Sequence, residues 1–80
     1  MNDNVDYRAP ADLFPAITAR RSGVSYQRFD TLGEALRFAM EKMSPALLPG
    51  AVIESEEVRY GPEQIRALYA AAGYPLKRQG

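Results

Sequence analysis

The chain has 80 residues, with ten Lys and Arg against ten Asp and Glu, and it contains no cysteine, histidine or tryptophan. At that length it makes one domain at most and buries only about 60% of its unfolded surface, so a deep catalytic cleft is hard to build. The missing residue types exclude disulfides, thiolate nucleophiles, cysteine-based zinc sites and the commonest general base, while zero net charge provides no field toward nucleic acid or anionic lipid.

No apolar run approaches the roughly 18 residues of a membrane span. The opening MNDNVDYRAP is acidic and polar, unlike a signal peptide. Together with an Arg- and Ala-rich composition this leads to the expectation of a bacterial, cytoplasmic protein.

Residues 1–21 carry Pro10, Pro15 and three early acids without sustained periodicity, which predicts an irregular amino-terminal arm. Leu13, Phe14 and Ile17 are the exception, an apolar patch that either docks on its own domain or waits for a partner. From Gly23, GVSYQRFD reads as a strand with Val24 and Tyr26 on one face. Phe29 is out of phase and is expected to staple onto the following helix.

Thr31 and Glu34 have the spacing of a capping box, and Leu32, Ala35, Leu36, Ala39, Met40 and Met43 follow as one helical stripe. A helix is predicted over 32–43, ended by Ser44-Pro45. Phe38 falls off the centre of that stripe. Pro49-Gly50 suits a type II turn, with Leu47 and Leu48 folded over the core edge.

VIESEEVRY, residues 52–60, places three carboxylates in four positions. Pairing residues 51–54 with 57–60 around Ser55-Glu56 puts Ala51, Ile53, Val58 and Tyr60 on one face, and Val52, Glu54, Glu57 and Arg59 on the other. The carboxylates then form a solvated turn with one cross-strand ion pair, although Ser-Glu lacks the Gly or Asn that tight turns prefer. One bent strand is the alternative.

The final element starts with Pro62 at its first position and Glu63 in its first turn. Ile65, Leu68, Tyr69 and Ala72 make its apolar stripe, and Gly73 stands where a left-handed stop belongs. Tyr74 is placed to meet Tyr69, and the tail 77–80 is expected to fray. The predicted fold is a small single α+β domain over 22–76, in the order β-α-β(β)-α, with both helices on one face of a two- or three-stranded sheet.

The carboxylates Glu54, Glu56 and Glu57 lack the D-x-D-x-D-G spacing of a calcium loop, so no metal or other cofactor is assigned. No serine has a partner base and no glycine-rich loop is present, so no catalytic residue is assigned either. Arg20, Arg21 and Arg28, with Tyr26 and Phe29 nearby, faintly resemble a sheet surface that stacks bases and pairs phosphates, but the RRM signature is absent.

The pairing of RFDTLGEALRFAMEKM with a later IRALYAAAGYPL resembles a pattern in small uncharacterised bacterial proteins over residues 26 to 78. That resemblance implies no activity, cofactor or functional residue. The residues themselves favour a non-catalytic protein-interaction or regulatory module, with an unknown protein or a second copy as partner. Leu13, Phe14, Tyr26, Phe38, Val52 and Arg59 are its candidate contacts. The alternative is a nucleic-acid-associated accessory protein acting through Arg20, Arg21 and Arg28.

Overall fold

The computed structural model of the chain describes residues 5–16, 26–43 and 45–76. It is an α+β domain in which a four-stranded antiparallel sheet carries two helices, in the order β-β-α-β-β-α. The sheet is thus larger than expected. Strand β1 (Ala11–Phe14) comes from the segment predicted to be an irregular arm, and the correction has a plain physical cause. ADLF alternates Ala and Leu inward with Asp and Phe outward, and two strands receive it, β2 (Gln27–Phe29) on one side and β3 (Val52–Ser55) on the other. With β4 (Val58–Tyr60) the strand order is β2-β1-β3-β4. β2 and β3 are each antiparallel to β1, so they run parallel to each other, with α1 in the connection between them.

Helix α1 (Leu32–Arg37) starts at Thr31, whose Oγ1 accepts from the Glu34 amide at 3.1 Å, as the capping pattern predicted. The amino-terminal segment completes the cap. The Leu32 amide donates to the Ala9 carbonyl at 2.7 Å and the Gly33 amide to the Tyr7 carbonyl at 3.0 Å, while Ala35 N–H reaches the Thr31 carbonyl at 3.2 Å. The three first-turn amides that have no intrahelical partner, at Leu32, Gly33 and Glu34, are therefore satisfied within the domain.

The helix continues as a π-helical turn over Phe38–Lys42, closed by a bond from the Met43 amide to the Phe38 carbonyl at 3.0 Å. Met43 is extended, so the helical run ends one residue before the predicted limit. Ser44 lies outside the described residues. Leu48–Gly50 is a 3₁₀ turn rather than the predicted type II turn, with Leu48 buried.

The hairpin is real but its turn is shifted by one residue. Ser55 pairs with Val58, leaving Glu56 and Glu57 as the loop with φ of 55° and 69°. Positive φ at both positions is the signature of a type I′ turn, here built without the Gly or Asn that normally supplies it. Ser55 is buried and its hydroxyl donates to the Pro10 carbonyl at 2.8 Å, which explains why it belongs to the strand and not to the tip.

Helix α2 (Pro62–Ala70) begins with proline at its first position, and Gln64 Oε1 accepts from the Gly61 amide at 2.9 Å. It stops at Ala71, which is extended, so Gly73 is not the left-handed stop. Ile65 is buried, Leu68 and Tyr69 are half-buried and Ala72 is exposed. Tyr74 meets Tyr69 as expected, with ring centroids 4.9 Å apart, and Tyr7 packs on Tyr74 at 6.1 Å.

The core lies between the helices and one sheet face. Leu13, Leu32, Leu36, Ile53 and Ile65 are fully buried there. Each such side chain stabilises the fold by about 1.5–3 kcal/mol relative to exposure.

Candidate interaction surface

Strand alternation sends a second set of side chains to the face away from the helices, and the register aligns them into two rows. Asp12 pairs with both Arg28 and Glu54, and Glu54 pairs with Arg59, so one row reads Arg28–Asp12–Glu54–Arg59 across all four strands. Two residues along the strands, Phe14 pairs with Val52 and its ring lies 5.3 Å from that of Tyr26, which makes the second row aromatic and aliphatic.

The charged row is internally neutralised. Arg28 Nη1 donates to Asp12 Oδ1 at 2.8 Å and Arg59 Nη1 to Glu54 Oε2 at 2.8 Å. Tyr26 ties the two rows together through its hydroxyl, which donates to the same Asp12 oxygen at 2.7 Å. That hydrogen bond holds the Asp12 carboxyl below its ordinary range, opposed by desolvation and helped by the Arg28 guanidinium. The same bond raises the Tyr26 hydroxyl, which must give up a proton shared with a carboxylate. Desolvation raises Tyr60 on β4, with the Glu56 charge adding to it.

The surface gathers four of the six candidate contacts named from sequence. Phe14 is 38% and Tyr26 51% exposed, Val52 is half-buried beside them, and Arg59 borders the row. Leu13 does not belong with them: at 0% exposure it is a core residue, because the neighbour of an outward Phe14 on a strand must point inward. Phe38 is also elsewhere, half-buried on the helix side with its ring 5.5 Å from Phe29. Phe29 is a strand residue paired with Ala11 as well as a helix contact, so it does more than staple.

Arg28, named as a phosphate contact, is engaged by Asp12. Arg20 and Arg21 lie outside the described residues, as does Val24. Glu54, Glu56 and Glu57 border an open concavity with Asp12, Arg28 and Pro10 at the turn end of the surface. Four carboxylates and one guanidinium line it, which disfavours a polyanion. Among the described residues no group of three or more metal-ligating side chains converges.

Sequence reasoning missed Asp12 as the hub of this face, and Val58, which is 47% exposed at the sheet edge. The signal for Asp12 was its alternation with Leu13, hidden by flanking prolines. No helix among the described residues is long and apolar enough to cross a membrane. Compared with known proteins, the chain matches no family model, no curated protein sequence and no solved structure.

Proposed function

We propose that this chain is a small, non-catalytic protein-interaction module of the cytosol that docks a protein partner, a second copy being the simplest, through the open face of its sheet. The observation that carries this is the Tyr26–Phe14–Val52 row, an apolar strip beside a row of paired charges. An apolar centre with a satisfied polar border is the anatomy of a protein interface, and aromatic side chains dominate the energetics of such centres.

Acid–base chemistry is poorly supported by the same groups. The Asp12 carboxyl moves downward, away from the near-neutral range in which a proton-transfer group works. Nucleic acid is disfavoured by the four carboxylates on this face.

The test combines sedimentation velocity across a concentration series with nuclease-treated capture from host lysate, using the parent chain and a Phe14→Ser, Tyr26→Ser variant. Both side chains are exposed, so the variant is expected to keep the fold. Self-association, or a nuclease-resistant partner, that is present in the parent and lost in the variant supports the proposal. A parent that stays monomeric with no nuclease-resistant partner, or a variant that binds like the parent, refutes it. Capture that disappears with nuclease transfers the function to Arg20, Arg21 and Arg28, and a steep salt dependence would accompany it.

A further inference from the structure

A second surface, on the opposite side of the sheet, has features that the open face does not account for. β2 is an edge strand, and among the described residues no strand pairs with its outer side. Next to that edge, Phe29, Glu34, Arg37, Phe38 and Lys42 line a groove of about 280 Å³. Small-molecule sites usually enclose roughly 300–1,000 Å³, so this groove is sized for a side chain or two of a chain lying along it.

Three observations describe what such an occupant must be. Phe29 and Phe38, tilted by 43° and both half-buried, give the groove an apolar floor. Arg37 and Lys42 stand at its rim, and neither takes part in the two ion pairs among the described residues, Arg28–Asp12 and Arg59–Glu54. Glu34 is the single carboxylate of the lining, since Glu41 accepts from the Tyr69 hydroxyl of α2. The lining therefore carries a net positive charge, the two cations Arg37 and Lys42 against the one carboxylate of Glu34. Finally, the π-helical turn spans Phe38 to Lys42, two of the lining residues. Such turns are rare and recur at functional positions.

We propose that this groove takes an extended acidic segment of a partner protein. The segment pairs its backbone with the outer edge of β2, seats an apolar side chain against Phe29 and Phe38, and places carboxylates beside Arg37 and Lys42. Backbone pairing supplies affinity in this mode, and the groove selects every second side chain. Because alternate residues share a face, the pattern it reads is acid, any, apolar, any, acid. This site is separate from the open face, and either can fail without the other.

The test is a two-dimensional amide NMR titration of the isotope-labelled full chain with the peptide acetyl-Glu-Thr-Phe-Thr-Glu-amide. Its controls are the same peptide with Lys at both ends and the same peptide with Ala in place of Phe. The expected result is saturable shifts confined to Gln27–Phe29 and Phe38–Lys42, weakening as salt rises, and absent with the basic peptide. An Arg37→Glu, Lys42→Glu variant is expected to keep the parent's circular dichroism and melting temperature while its dissociation constant rises roughly tenfold or more. No saturable shift up to about 5 mM peptide overturns the proposal, since that bounds binding more weakly than any useful contact. Equal binding of the basic peptide overturns it, as do an unaffected charge-reversed variant and shifts confined to Phe14, Tyr26 and Val52.

Discussion

Asp12 and Glu54 stand opposite each other in register on the two central strands, two carboxylates side by side, each joined at 2.8 Å to an arginine on the strand outside it. Like charges directly opposite destabilise a strand pair, so the arginines are what make this register tolerable. Each ion pair is solvent-exposed and contributes little to stability.

The Tyr26–Asp12 bond makes the fold pH-sensitive at both extremes. Asp12 has a folded-state pKa below its ordinary 3.8, so the stability it lends is present above that value and is lost as pH falls through the lower folded one. Tyr26 has a folded-state pKa above 10.0, so its contribution is present below that value and is lost as pH rises through the higher folded one. Tyr26→Phe removes the donor and is expected to flatten both limbs of melting temperature against pH, slightly because both groups are at the surface. Limbs identical to the parent's would show that the bond does not form in solution.

Among the described residues the left-handed backbone falls on two glutamates, Glu56 and Glu57, while none of the glycines at 33, 50, 61 and 73 adopts it. Replacing them with the residues this turn prefers, Glu56→Asn and Glu57→Gly, is expected to stabilise by about 1 kcal/mol each. For a domain of this size that raises the melting temperature by roughly 4–8 °C per substitution. An unchanged or lower midpoint would refute the strained turn.

Two glycines should respond oppositely to alanine. A methyl group on Gly50 would overlap the Ala16 Cβ, so Gly50→Ala is expected to lose about 1–3 kcal/mol in denaturant melts. At Gly73 the added carbon would meet Tyr7 Cε2 at 3.7 Å, an ordinary contact, and the backbone is not left-handed. Gly73→Ala is expected to be neutral or to stabilise by up to about 1 kcal/mol. A large loss at Gly73 would restore the left-handed stop predicted from sequence.

The amides of Leu32 and Gly33, bonded to the carbonyls of Ala9 and Tyr7, should exchange slowly for first-turn amides. Tyr7→Phe, which loses the hydroxyl bond to the Leu68 carbonyl at 3.0 Å, is expected to cost about 1 kcal/mol. Exchange of both amides at unprotected rates would mean that residues 5–10 are not docked.

Local patterns were legible in the sequence wherever the partners are near along the chain. The Thr31 cap, the stripe through Leu32, Leu36 and Ala39, the proline start of α2 and the Glu54–Arg59 pair all follow from spacings of a few residues. The candidate surface was legible only in part. Phe14, Tyr26 and Val52 stood out as apolar residues unexplained by their neighbours, but nothing in the sequence said that they lie in one row.

What the sequence by itself determined is therefore composition-level and short-range: a single small α+β domain without thiol or imidazole chemistry, and the type of most of its elements. Tertiary structure alone decided that Ala11–Phe14 is a central strand, because a four-residue strand between prolines carries too weak a signal until partners 16 and 42 residues away, Arg28 and Glu54 beside Asp12, supply its hydrogen bonds. It alone decided that Leu13 is core and Phe14 surface, since inward and outward have no meaning before the sheet exists. It also decided the turn at Glu56-Glu57, where the register set by Ser55 and Val58 overrode the conformational preference of the two residues in between.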